Sequence, residues 1–325
     1  MDRFGTTAAA AAALLVLFAL SDAVAPVSAD AYSVTHADIT FDRWNYPFNS
    51  SPGTRSSGPI FGAVGETSFD DRDGQFLIGI NTAALGVPTG LDPADYQVTA
   101  LVVTATHSTG SFVYDPTYDA YDSDSDAGTP IVLTGAGLRG SYTGFTFGTG
   151  SATAYAQNSP YGNNNLTPGS FAGDRNAYAA AFNGSGTLID VSNNVRDGLD
   201  ITPWAVGVTN LNPGDAVVEA IAGVSPGSTF TFDLTAMLAD PNVLGYVQQG
   251  FAQGGLFFTI SSLHSTAQGG SSNPNFFTSD SFDPAALGPT ASFALTTAPE
   301  PSSLILLLGL LGGLGGRRRR TRRGR

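Results

Sequence analysis

The chain has 325 residues, with 27 acids against 14 basic residues and a formal net charge of −13 at pH 7. It has no cysteine, and every basic residue is an arginine. That excludes disulfides, thiolate metal sites and cysteine nucleophiles, together with Walker-type phosphate loops and Schiff-base lysines.

In chain order, the first element is a targeting segment. Arg3 supplies a weakly positive start, Ala8–Leu20 an apolar run, and Val27-Ser28-Ala29 small residues at the positions a signal peptidase reads. Residues 1–29 are therefore expected to be a signal peptide cleaved after Ala29 by the general secretory route. Between this segment and the C-terminal tail lies a body of residues 30–297. It holds Arg43, Arg55, Arg72, Arg139, Arg175 and Arg196 against 24 acids, a balance of about −18. Nucleic acid and anionic membrane surfaces are poor partners for such a charge.

The body reads as β throughout, cut into short segments by 40 glycines and 19 prolines. The expected strands are Ser33–Phe41, Gln75–Ile80, Tyr96–Thr106, Ile131–Thr134, Tyr142–Phe147, Thr187–Val191, Val217–Val224, Thr229–Leu234, Leu256–Ser261 and Ala291–Leu295. In Thr229–Leu234, Phe230, Phe232 and Leu234 alternate with polar residues, the period of a half-buried strand. One helix is expected, with Asp240 as N-cap, Pro241 in the first position and Gly250 closing the end. Asp92-Pro93-Ala94-Asp95 is expected to form a short helical turn. Residues 45–59, 115–129 and 157–176 read as longer loops. Many short strands and few helices predict an all-β fold, a single large β-sandwich or jelly roll with one short helix.

Several stretches raise chemistry. Asp115 to Gly128 is the strongest candidate: Asp122, Asp124 and Asp126 alternate, with Asp119 and Asp115 upstream, so carboxylates could converge on Ca²⁺. The EF-hand spacing fails, because Ala127 stands where glycine is required and Leu133 where the bidentate glutamate belongs. Asp70-Asp71-Arg72-Asp73-Gly74 reads as a turn with a local ion pair. Gly135-Ala136-Gly137-Leu138-Arg139-Gly140 matches dinucleotide-binding spacing, but the next residues alternate like a strand where that motif needs a helix. It is read as a glycine-rich hairpin.

His36, His107 and His264 have no metal-ligand spacing, and there is no Gly-x-Ser-x-Gly elbow, so no catalytic residue is assigned. Glu66 and Glu219 are the body's two glutamates, so a glycosidase pair would need aspartates. Trp44, Trp204, Tyr46, Tyr114, Tyr118, Tyr121, Tyr155 and Tyr161 raise a sugar-stacking reading.

The last segment, residues 298–325, holds Pro299-Glu300-Pro301, an apolar run from Leu304 to Leu314, and a basic end in which Arg317, Arg318, Arg319 and Arg320 are consecutive. A helix from Leu304 to Gly316 would span about 20 Å, short of the ~20 residues a bilayer asks for. It is a marginal membrane segment with its arginines on the cytoplasmic side. This order of features resembles the PEP-CTERM sorting signal of bacterial secreted proteins. The resemblance implies recognition by an exosortase, a membrane-embedded transpeptidase-like enzyme, and removal of the tail near Pro299.

A second resemblance lies in the body. Arg72-Asp73-Gly74-Gln75-Phe76-Leu77-Ile78, then Val98-Thr99-Ala100-Leu101-Val102-Val103, then Phe232-Asp233-Leu234-Thr235 follow the order seen in secreted DNRLRE-type jelly-roll domains. Leu234 replaces that family's valine, and the insert between landmarks is longer.

Together these readings predict a secreted surface or extracellular-matrix protein, anchored transiently in the inner membrane until its tail is removed. It is expected to be non-enzymatic, with glycan or Ca²⁺ as candidate ligands and an exopolysaccharide as candidate partner. The alternative is a secreted polysaccharide-active enzyme on a similar sandwich.

Overall fold

A computed structural model describes residues 29–46, 53–61, 74–117, 130–140, 142–145, 154–155, 176–192, 202–212, 216–217, 227–262, 274–280 and 288–298. Residues Tyr32–Leu295 form one compact unit. Met1–Ala31 and Thr296–Arg325 form a second, of which only 29–31 and 296–298 are described.

The first described strands are β1 (Asp30–Asp38), β2 (Phe41–Asn45), β3 (Ser57–Pro59), β4 (Gln75–Ile80), β5 (Tyr96–Thr106), β6 (Phe112–Val113), β7 (Ile131–Leu138), β8 (Gly144–Phe145) and β9 (Ala154–Tyr155). They continue as β10 (Ala177–Phe182), β11 (Leu188–Asp190), β12 (Ala205–Val206), β13 (Ala216–Val217) and β14 (Thr229–Asp233). After the helix α1 (Pro241–Gln253) come β15 (Leu256–Ser262), β16 (Asn275–Phe277) and β17 (Thr290–Thr297).

Two sheets dominate. One is ordered β1-β17-β5-β14; the other is β11-β10-β7-β15-β4-β2, with β12 also pairing β7. The expectation of an all-β chain with one α-helix holds, and the sheets pack as a sandwich. The alternation read from sequence is the reason. In β14, Phe230 and Phe232 are buried while Thr229 and Asp233 are exposed. In β17, Ala291, Phe293 and Leu295 turn inward at every second position. These meet Phe76, Ile78 and Ile80 of β4 and Phe258 and Ile260 of β15 in one shared core.

The larger sheet is curled. Asn45 of β2 donates its side-chain amide to the Ala177 carbonyl oxygen of β10 at 2.8 Å, and Gln75 of β4 donates to the Ser192 carbonyl oxygen at 3.4 Å. In a flat sheet β2 and β10, four places apart, would lie about 19 Å from each other. A side-chain amide cannot bridge that gap, so the sheet bends until its two ends meet. The concave face is the one bearing Asn45 and Gln75, which share a register position. It is filled in rows: Phe41 with Phe257 and Ala136, then Arg43 with Leu77, Thr259 and Thr134. All of these are buried although they point away from the sandwich core. Tyr155 and Phe145 join Phe41, Leu77 and Phe257 in this second cluster, and the Arg43 guanidinium lies 4.8 Å from the Tyr155 ring centre. An arginine can be buried at this site because an aromatic face partly compensates its lost hydration.

Four sequence expectations change. Gly250 does not end the helix; α1 runs to Gln253 and Gly254 caps it at φ 86°, the left-handed conformation a C-terminal cap requires. Gly250 is small for another reason: a Cβ there would meet Leu256 at 2.7 Å and the Gly255 carbonyl oxygen at 2.9 Å. The Gly135–Gly140 stretch is not a hairpin. Gly135 and Gly137 lie within the central strand β7, paired to β15 and β10, and the following β8 pairs in parallel with β9. The first expected strand, Ser33–Phe41, divides into β1 and β2. Strand β10 was not foreseen, since Ala177–Phe182 has one aromatic at each end of an alanine run and no clear period.

Asp240 caps α1 as expected, its carboxylate accepting from Asn242 N at 2.8 Å and Val243 N at 3.3 Å. Asp240→Ala is expected to cost about 1 kcal/mol, read as a lowered midpoint in urea unfolding. Asp92 likewise accepts from Ala94 N and opens a one-turn 3-10 helix at Pro93–Asp95.

Candidate functional site

The glycines of β7 prepare a cleft. A Cβ on Gly137 would lie 2.3 Å from the Tyr178 ring, and one on Gly135 would lie 2.4 Å from Trp204. With no side chains there, both rings lie directly against the strand. Trp204 is buried, stacked on Phe182 at 5.9 Å and edge-on to Tyr246 at 4.8 Å. Tyr246 projects from α1 to the place where β7 and β15 part. Its hydroxyl donates to the Phe257 carbonyl oxygen at 2.7 Å and accepts from Ala136 N at 3.0 Å. Burial raises its pKa, so the phenol stays neutral and keeps its proton for that bond.

What results is a cleft of about 340 Å³ between α1 on one side and β7, β10 and Phe145 on the other. Half-buried Tyr178 and Phe182 form its aromatic wall, and the exposed Gln249 and Gln253 of α1 its rim. The two glutamines are four residues apart and therefore on one face of the helix.

Beside the cleft, Arg139 lies 4.4 Å from the Tyr178 ring centre and is ion-paired to Asp190. The other oxygen of Asp190 accepts from Ser192 N at 2.8 Å. Burial pushes the Tyr178 phenol up, and the nearby Arg139 charge opposes this. The pair fixes the edge of the Tyr178 ring rather than presenting a free charge. No acidic residue is among the described residues lining this cleft.

The sequence candidates fall elsewhere. Trp44, Trp204, Tyr114 and Tyr155 are 8%, 1%, 3% and 0% exposed, so their rings are core and the sugar-stacking reading is corrected for all four. Tyr114 instead donates its hydroxyl to the Gly207 carbonyl oxygen at 2.6 Å, a bond inside the sandwich. Tyr46 is half-buried and stacks on Trp44 at 4.5 Å. Tyr118, Tyr121 and Tyr161 lie outside the described residues.

So do Asp119, Asp122, Asp124 and Asp126. Asp115, at the start of that loop, is half-buried and accepts from both Thr117 N and the Thr117 hydroxyl, which hold its pKa below the ordinary carboxylate value. Among the described residues no group of three or more acids, histidines or cysteines could hold a metal ion. His107 is buried; its Nε2 donates to the Gly110 carbonyl oxygen at 3.0 Å while Nδ1 accepts from Asn275 N at 3.4 Å. It joins the end of β5 to β16 and is structural. His36 is exposed on β1. His264, Glu66, Glu219 and Asp70–Asp73 lie outside the described residues.

Ala29 is described and exposed; Pro299, Glu300, Pro301 and the arginines 317–320 are outside the described residues. No helix among the described residues is long and apolar enough to cross a membrane. No protein-family model matches the chain, and no curated protein matches it.

The sequence reading missed Tyr178, Phe182, Gln249 and Gln253. The available signal was the alternation Gly135-x-Gly137 inside an apolar run, which marks a strand face with room for rings. It was masked by its likeness to a phosphate-binding loop.

Proposed function

We propose that this protein is exported, holds glycan in the cleft between α1 and β10, and has no catalytic role. Its place is the cell surface or extracellular matrix, and residues 298–325 are a sorting signal removed by an exosortase-like enzyme. One observation supports the binding role above the rest. The lining sets half-buried aromatic rings, Tyr178 and Phe182 among them, against two exposed side-chain amides, the combination that accommodates a sugar's apolar face and its hydroxyl edge. A polysaccharide-cleaving enzyme would instead need two carboxylates roughly 5–10 Å apart across the bond, whereas Asp190, beside the cleft through its pair with Arg139, is engaged by Arg139 and Ser192.

The body further fits the order of a DNRLRE-type jelly roll. Phe232-Asp233-Leu234-Thr235 lies beside Leu101, whose carbonyl oxygen accepts from Leu234 N at 2.9 Å and whose N–H meets the Thr235 hydroxyl at 3.4 Å. Export and sorting rest on the two ends of the sequence. Intact mass of the protein recovered from its own host is expected to correspond to a chain beginning at Asp30 and ending near Pro299. Recovery of a mature surface protein that retains Arg317–Arg325 would refute the sorting proposal. Tail removal also takes away seven arginines, so the isoelectric point should fall along with the mass.

A further inference from the structure

A second cleft, of about 720 Å³, lies at the other end of α1. It is lined by Asn242 and Asp240 at the helix start, by Thr202, and by the β10–β11 turn at Asn183 and Gly184. Phe182 lines both clefts. The β10–β11 hairpin therefore runs along the helix. Its tip is held by Asn183, whose side-chain oxygen accepts from Ser185 N at 3.1 Å and Thr187 N at 2.9 Å. From Asn242 to Gln253 the helix rises about 17 Å, several times the width of one sugar ring.

We infer that the two clefts are one binding groove for an extended, uncharged polysaccharide chain, with Phe182 at its midpoint. This rests on the glycan-binding reading and adds the ligand's shape and charge. The shape follows from the length: a single sugar would fill one cleft and leave the other, while a linear chain laid along α1 engages both. The charge follows from the lining and the body. The first cleft has no charged residue among those described. The charged residue described in the second is Asp240, whose carboxylate oxygen is held by the N–H groups of Asn242 and Val243. Arg139 is committed to Asp190. Among the described residues a polyanionic chain would thus find no available cation in the groove, while a body of about −18 repels it. A neutral chain loses nothing to that field, and its hydroxyls match the amides of Gln249, Gln253 and Asn242.

The test is calorimetry on the mature chain with neutral β-1,4-glucan, β-1,3-glucan and chitin fragments of two to six sugars, and with alginate as the anionic probe. Affinity for at least one neutral series is expected to rise with length, with little dependence on salt and no alginate binding. The pair Gln249→Ala and Gln253→Ala, and separately Asn242→Ala, should each weaken the hexamer by about tenfold. All three side chains are exposed, so melting temperatures should stay at the wild-type value and separate lost binding from lost folding. If a disaccharide binds as tightly as the hexamer, or Asn242→Ala has no effect while the glutamine pair does, the groove is refuted and the single cleft survives. Tighter binding of alginate than of any neutral fragment overturns the charge assignment. No binding by any probe removes the groove and the glycan reading together.

Discussion

Asp42→Asn is expected to stabilise the protein at neutral pH, the reverse of what replacing a hydrogen-bonded buried carboxylate commonly does. Asp42 sits in β2, 1% exposed. One oxygen accepts from Ser279 N at 2.7 Å and the other has no hydrogen-bond partner among the described residues. Loss of hydration is the largest influence on it, opposed by the Ser279 bond and reinforced by the negative Asp280, and its pKa is pushed up to about 6. In the unfolded chain an aspartate titrates near 3.9.

Between those values the folded state binds more protons than the unfolded state, so this group makes stability fall as pH rises from about 4 to 6. Above pH 6 the full penalty remains, about 3 kcal/mol for a two-unit shift. Asparagine keeps an oxygen for Ser279 N and removes the buried charge, so it escapes that penalty. Urea unfolding at pH 7.5 should place Asp42→Asn above the wild type by about 2–3 kcal/mol, with the gap closing near pH 4. The comparison between the two proteins isolates Asp42, because every other carboxylate titrates in both. A gap of equal size at both pH values, or none at pH 7.5, would show that the charge is not what costs stability there.

Gly135→Ala is expected to act in the opposite direction by a similar amount. Its Cβ would stand 2.4 Å from Trp204, a ring confined by Phe182, Tyr246 and Phe258. Overpacking of a filled core costs about 1–3 kcal/mol, and here β7 is tied on both sides to β10 and β15. The Trp204 ring can yield only by moving Phe182 and Tyr246, so under the proposed binding role glycan affinity should fall with stability. Gly137→Ala meets the Tyr178 ring equally closely, but Tyr178 is half-buried and held at its edge by Arg139, not enclosed by three rings as Trp204 is, so it yields at lower cost. Thermal unfolding should rank Gly135→Ala well below Gly137→Ala. Equal losses would mean that Trp204 is less confined than its packing indicates.

Much of the fold was legible because period-two patterning is a local property. Gln75–Ile80 and Tyr96–Thr106 were expected with the boundaries β4 and β5 have, and α1 began at its expected cap, since Asp240-Pro241 is a signal that needs no tertiary partner. Less of the candidate site was legible. Trp44 and Trp204 looked like ligand contacts because a tryptophan's burial is not encoded in its neighbours; it depends on which strand comes to lie over it. Tyr178 and Phe182 were overlooked for the converse reason. They border an alanine run whose small side chains are explained only by the concave face they fill, where Ala179 and Ala181 pack with Val132 and Val191.

By itself, then, the sequence determined the strand periodicity, the acidic body, the absence of thiol and lysine chemistry, and the helix start. Each follows from composition or from residues within a few positions of one another. Only the tertiary structure decided that the larger sheet curls, that Asn45 meets Ala177 across 132 positions, and that two glycines in β7 make room for aromatic rings. Those features depend on long-range pairing and on volume, and a strand pattern specifies which side of a residue is covered without specifying what covers it.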